Sequence, residues 1–335
     1  LVEFCSGFIR QAPMQWYRTF AKQTDDSTPS PTSIPCRVIP ALPGPEDLVY
    51  VARDHRWLGS FAERRRASIA LSGLFSLQGE VLNSLPIRAT SALLPVSVHG
   101  IDWLESSGHL FVVDHVSPRS HRILKMAFEG EALRVEAEMT SPLLSSANDV
   151  VAVAEDEFYV TVDLGSSGTF GKIWEGLTAR RWGGVVHYRK GQWRWVAKSI
   201  AFANGIEVSA DQRSLFVAAY RQGQILRYDR DLQTGDLSGR QSYARVPGYP
   251  DNLSWSENGE ELIVASHDSL WDLFDHLRNP ANHAGGGVYR ILSTGQVEPI
   301  FWDDGRRIDA PSIALKSRNS LLIGQVFDSE LLRCT

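Results

Sequence analysis

Apolar and polar residues alternate along this chain in short runs, and the runs come in sets. Gly205-Ile206-Glu207-Val208 is followed by Ser214-Leu215-Phe216-Val217-Ala218-Ala219 and then by Gln224-Ile225-Leu226-Arg227-Tyr228-Asp229. An earlier stretch repeats the set with Gly100-Ile101-Asp102-Trp103-Leu104, His109-Leu110-Phe111-Val112-Val113-Asp114 and His121-Arg122-Ile123-Leu124-Lys125-Met126. A period of two, punctuated by Gly, Asp and Asn, predicts strands joined by turns. The sets open at Asp47, His99, Asn148, Asn204, Asp251 and near Ser312, at intervals of 52, 49, 56, 47 and 61 residues. Several strands per unit at a period near 50 predict propeller blades, and six units fit the length. The expected fold is all-β: a six-bladed β-propeller over residues 36–335, preceded by a short helical segment and linker over residues 1–35.

The first residues follow a different pattern. Phe4, Phe8 and Ile9, then Trp16, Tyr17 and Phe20 after Pro13, have helical spacing. That predicts an amphipathic element, which either packs on the domain or makes peripheral membrane contact through residues 1–20. Asp25 to Ser33 is polar and proline-rich and reads as a linker. No apolar run reaches the ~18 residues that a bilayer span requires.

Composition narrows the function classes. The chain has 335 residues, 43% of them hydrophobic, and a net charge of −5, which suits a large globular core and gives no nucleic-acid surface. Arg64-Arg65-Arg66 and Arg180-Arg181 read as solvated surface clusters. Cys36 and Cys334 stand at the two ends of the repeat region, leaving either a bridge or two thiols open on position alone.

Candidate chemistry lies where the sets open. In a propeller the innermost strand of each blade lines the channel, so the strand starts converge at one end of the axis. Glu46, Asn148, Asn204, Asp251 and Asn252 would meet there, and carboxylates mixed with amide carbonyls suit calcium better than zinc. Asp47 and Asp149 are placed to hold a second ion deeper in the channel.

Pro45-Glu46-Asp47-Leu48, Val98-His99-Gly100-Ile101, Val113-Asp114-His115, Asn148-Asp149-Val150-Val151-Ala152-Val153, Phe202-Ala203-Asn204-Gly205-Ile206 and Asp251-Asn252-Leu253-Ser254 together resemble the serum paraoxonase/arylesterase family. That family comprises six-bladed, calcium-dependent lactonases and esterases, and the resemblance runs from Cys36 to Cys334. It implies two Ca2+ ions. Glu46, Asn148, Asn204, Asp251 and Asn252 match the ligands of the catalytic one; Asp47, Asp149 and the Ile101 carbonyl match those of the structural one. It also implies a His99 and His115 pair, a Cys36–Cys334 disulfide, and a secreted or secretory-lumen protein that is in some cases membrane-associated. Asp114 departs from the family's amide before the second histidine, and Val98 from its proline before the first.

The expected function is hydrolysis of an apolar lactone or aryl ester, with the ion polarising the carbonyl, His99 as general base, and His115 fixing its tautomer. Asp251 is the alternative base or nucleophile. Phe202, His267 and Trp271 are expected to line the substrate pocket. Asp268 to Gly287, with a Gly285-Gly286-Gly287 hinge, and Leu164 to Trp182 are expected to act as lids. The alternative on the same propeller is a non-hydrolytic isomerase or cyclase of a natural-product pathway. The sequon Asn252-Leu253-Ser254 falls on a site residue and is expected to stay unglycosylated.

Overall fold

The computed structural model describes residues 32–65, 71–89, 96–117, 120–165 and 180–335. The expected N-terminal helix, nearly all of the linker, Cys5, and most of the Leu164 to Trp182 segment lie outside the described residues. The described strands form six sheets arranged as blades, antiparallel except for the short edge strand Ile87–Arg88, which runs parallel to Ala132–Thr140 in blade 2. Their innermost strands are Leu48–Val51, Val98–Leu104, Ala147–Ala154, Ala203–Val208, Tyr249–Trp255 and Pro311–Lys316, which begin within two residues of the predicted starts. Blade 6 is completed by Cys36–Pro40, which pairs antiparallel with Glu330–Cys334 so that Cys36 faces Cys334.

The sequence periods follow from blade packing. The second strand of each blade is covered on both faces by neighbouring blades, and Glu157–Val162, Ser214–Ala219 and Leu262–His267 are accordingly buried along their whole length. Outer strands such as Leu237–Arg245 are mostly exposed and carry polar residues. The core therefore lies between blades: Leu58 and Leu74 of blade 1, for example, pack with Leu110, Val112 and Leu124 of blade 2.

Around the axis, polar side chains cross each of the six blade interfaces. Asp47 Oδ2 accepts from Ile101 N–H at 2.7 Å, Asp102 Oδ2 from Ala152 N–H at 2.7 Å and Asp149 Oδ2 from Ile206 N–H at 2.9 Å. Trp255 Nε1–H donates to Val208 O, Ser254 Oγ–H to Ala314 O and Ser312 Oγ–H to Glu46 O. Buried polar groups are satisfied here by the neighbouring blade, which ties the ring together at its narrowest point.

The ring is closed covalently by the Cys36–Cys334 disulfide, across a separation of 298 residues. A loop of that size restricts the unfolded chain by about 5 kcal/mol in the chain-entropy view. Reduction is expected to lower the denaturant midpoint, and Cys334→Ala should reproduce the loss without reductant. Equilibrium unfolding with and without dithiothreitol measures it.

One α-helix among the described residues, α1 (Leu270–Arg278), lies in the blade 5 segment expected to be a lid. Ser269 caps it by accepting from Asp272 N–H, and Leu270, Leu273 and Leu277 form its buried stripe. They pack with Phe202, Ala310, Val326 and Phe327. The glycines after it are no hinge. Gly286 and Gly287 belong to the strand Gly286–Ile291, and a Cβ on Gly286 would stand 2.6 Å from Ser266 O, so this position is glycine because two backbones approach closely.

Candidate functional site

The inner strands do not pair evenly with their neighbours. Register slips between Val98 and Ile101, Ala147 and Val150, Ala203 and Ile206, Pro250 and Leu253, and Pro311 and Ile313. Five irregularities at the same height free His99-Gly100, Asn148-Asp149, Asn204-Gly205, Asp251-Asn252 and Ser312 from regular pairing, as bulges beside functional sites commonly do. Gly100 is required by the same crowding: a Cβ there would lie 2.5 Å from Asp149 Oδ1 and 2.7 Å from Asn148 O. Phe202, just before Asn204, adopts φ 60°, a left-handed conformation that a bulky residue seldom takes.

Glu46, Asn148, Asn204, Asp251 and Asn252 are all buried. Asn204 Nδ2–H donates to Asp251 Oδ1, and Asn252 Nδ2–H to Glu46 O at 3.3 Å. The amide oxygens Asn148 Oδ1 and Asn204 Oδ1 have no hydrogen-bond partner. Burial, and then the charge of Glu46, push the Asp251 carboxyl well above the ordinary aspartate value. Orphaned buried acceptors beside mutually repelling carboxylates form a donor set that a hard divalent cation fits. The buried Asn252 amide leaves no room for a glycan in the folded site.

Burial, and then the charge of Asp149, push Asp47 up; burial does the same to Asp149. Ile101 reaches this pair through its N–H, which donates to Asp47 Oδ2.

The histidines form a longer group than the pair expected. His99 and His115 have ring centroids 4.7 Å apart, and His121 stacks on His115 at 3.9 Å. His115 Nε2 is 2.8 Å and His121 Nδ1 3.2 Å from the Ala147 carbonyl, which can only accept, so both nitrogens carry hydrogen. His99 Nδ1 is 3.1 Å from Glu46 Oε2. Asp114 points to the other side of its strand, where it accepts from Ser97 N–H and Arg122 Nε–H, both at 2.6 Å. Strand alternation thus removes the departure at Asp114 from the histidine pair.

His267 is buried, with Nδ1 2.9 Å from Tyr220 Oη and Nε2 3.4 Å from Asp251 Oδ2. Burial lowers its pKa to about 4, so it is neutral at physiological pH. Phe202 packs on Tyr220 with centroids 5.1 Å apart. Trp271 lies on the exposed side of α1.

The expectation that the Arg64-Arg65 cluster is solvated is corrected. Arg64 is buried and pairs with Glu46 through Nη2 at 2.9 Å. Arg65 binds Asp328 at 2.5 Å and has Nη2 2.7 Å from His276 Nε2. Only long-range folding brings Glu46 and Val326 to these turn residues, and no local period announces that. His276, Asp309 and Asp328 bring potential ligand atoms within 4.8 Å of one another, but the Arg65 guanidinium is bonded within this group, which makes it an ion-pair latch for α1.

Burial lowers the His276 pKa, but the hydrogen bonds that its ring donates to Asp328 and the Asn282 carbonyl, and the charges of Asp309 and Asp328, outweigh that and leave it above ordinary histidine. The latch therefore contributes fully below the unfolded histidine pKa and is lost as pH rises through the elevated folded value. The stability gap between wild type and His276→Gln is expected to be largest near pH 6 and smaller at pH 8.5, measured by urea unfolding at both.

A six-bladed propeller with an oxygen-lined, histidine-flanked centre at one end of its channel is thus defined. The family profile described as Arylesterase matches residues 41–335, and the chain belongs to that family. It is 27% identical over 286 residues to bovine serum paraoxonase/arylesterase 2, covering 82% of this chain and 78% of that one. It is 25% identical over 300 residues to rat serum paraoxonase/arylesterase 1, covering 86% and 82%. A gluconolactonase structure from Xanthomonas campestris shares the fold at a TM-score of 0.56 and 16% identity, covering 89% of this chain and 88% of that one.

Proposed function

We propose that this protein is a calcium-dependent hydrolase of lactones and aryl esters. The class, a hydrolase of carboxylic esters or lactones, follows from the family. The calcium reading rests above all on Asn148 Oδ1 and Asn204 Oδ1, buried acceptors without partners beside the raised carboxyl of Asp251. Glu46, Asn148, Asn204, Asp251 and Asn252 would hold the catalytic ion, and Asp47, Asp149 and the Ile101 carbonyl a structural one. A bound ion supplies Lewis-acid polarisation of the ester carbonyl.

The remaining roles belong to side chains. His99 Nδ1 faces Glu46 and Arg64, which assigns proton transfer from the attacking water to Nε2. His115 packs against the His99 ring at a tilt while its own tautomer is fixed by the Ala147 carbonyl. Asp251 is the second candidate base, with Nε2 of neutral His267 3.4 Å from its Oδ2. Phe202, His267 and Trp271 would line an apolar pocket. The disulfide suits an oxidising compartment, so we place the protein in the secretory lumen or outside the cell, with residues 1–20 offering peripheral membrane contact.

Hydrolysis in H218O of a small aryl acetate and an aliphatic lactone tests the reaction class. One labelled oxygen in the carboxylate product is expected. Conversion of the lactone without label would instead indicate rearrangement.

A further inference from the structure

Arg64 is a permanent cation built into the candidate ion site. Its side chain is only 2% exposed and that of Glu46 only 6%. Nη1 is held by three carbonyls: Gly44 O at 3.1 Å, Ala62 O at 3.3 Å and Val326 O at 3.3 Å. Nη2 reaches Glu46 Oε2 at 2.9 Å and His99 Nδ1 at 3.2 Å. Gly44 makes the room: its φ is +58°, and a Cβ there would stand 2.7 Å from Arg64 Nη1. Nε is buried without a partner. A guanidinium that stays charged at all accessible pH has thus been anchored at a carboxylate that calcium would need.

The charge balance gives the consequence. Glu46 and Asp251 together carry two negative charges, which would neutralise one dication. Arg64 adds a positive charge on the same Glu46 oxygen, so a loaded site would carry one net positive charge. Two cations sharing one desolvated carboxylate repel, and burial makes that repulsion strong. Without a divalent ion, the same guanidinium offsets the Glu46 charge.

We propose that Arg64 is a positioning residue that holds Glu46 toward the axis as its internal counter-ion and thereby weakens, and so sets, the site's affinity for calcium. The proposal rests on the calcium reading above.

Calorimetric titration of chelator-stripped protein with calcium, at pH 7.5, tests it on wild type, Arg64→Met and Arg64→Lys. Arg64→Met is expected to bind calcium at least about tenfold more tightly, because the competing positive charge on Glu46 is gone. Arg64→Lys keeps the charge and is expected to stay within about threefold of wild type. Unchanged or weaker binding by Arg64→Met would overturn the proposal, since an arginine that only props the turn can lower affinity but cannot raise it on removal. Arg64→Gln, which can still donate to the three carbonyls, carries the same prediction if the methionine variant does not fold. For wild type alone, the 15N side-chain signals of Arg64 should shift on calcium addition; signals that stay fixed while calcium binds would overturn the proposal without any variant. Absence of calcium binding by wild type itself would defeat the calcium reading, an outcome distinct from wild-type binding that Arg64→Met leaves unaltered.

Discussion

Asp251→Ala is expected to lower kcat/KM by about a thousandfold or more for any ester or lactone that the wild type cleaves, while the protein stays folded. Asp251 is the carboxylate at which Asn204, His267 and the charge of Glu46 converge. Burial first, and then repulsion from Glu46, hold its carboxyl above the normal aspartate range. Removing it relieves the repulsion, so the folded state gains part of what it loses in hydrogen bonding. Activity and stability should therefore separate: a near-null kcat/KM with a melting temperature close to that of wild type without added calcium. Steady-state kinetics and thermal unfolding of the same preparation check both halves. A parallel collapse of stability would mean that Asp251 serves mainly to hold blade 5 to the axis.

Asp149→Ala is expected to do the reverse and to give the largest loss of stability, about 3 kcal/mol or more. Its carboxylate accepts from Val150 N–H at 2.7 Å and from Ile206 N–H of the next blade at 2.9 Å. The second of these crosses the interface between blades 3 and 4, and its loss strands a buried donor. Asp149→Asn retains one acceptor oxygen and should lose less. Guanidinium unfolding in the presence of calcium measures the difference. The contrast with Asp251 follows from the partners: Asp149 accepts from two backbone groups, one of them in the next blade, whereas Asp251 meets side chains.

The blade count and the inner strands could be read from sequence because each blade repeats one requirement, a second strand buried on both faces beside an inner strand that opens on polar residues. Glu157–Val162 and Leu262–His267 announce that burial residue by residue. The ligand candidates could be read for the same reason, since Asn148-Asp149, Asn204-Gly205 and Asp251-Asn252 recur at one point of the repeat. The physical cause of that recurrence was hidden: register slips between inner and second strands are pairing properties that no single strand displays. Arg64 was hidden for a stronger reason. An arginine triplet in a turn has every mark of a solvated patch, and only contacts with Glu46, Gly44 and Val326, the last of them 262 residues away, turn it into a buried counter-ion. His121 could have been suspected from its hairpin position, where it pairs directly across from His115. Helix α1 was masked by the loop-like composition of its surroundings, although Leu270, Leu273 and Leu277 carry a short helical stripe.

The central claim is that oxygen-bearing side chains from several blades hold calcium where an ester carbonyl is cleaved. The most direct measurement strips the protein with a chelator, removes the chelator, and follows hydrolysis of an aryl acetate and an aliphatic lactone before and after calcium is restored, with metal content determined at each stage. Activity should vanish with the metal and return with calcium. Hydrolysis that persists at the wild-type rate in metal-free protein would contradict the account.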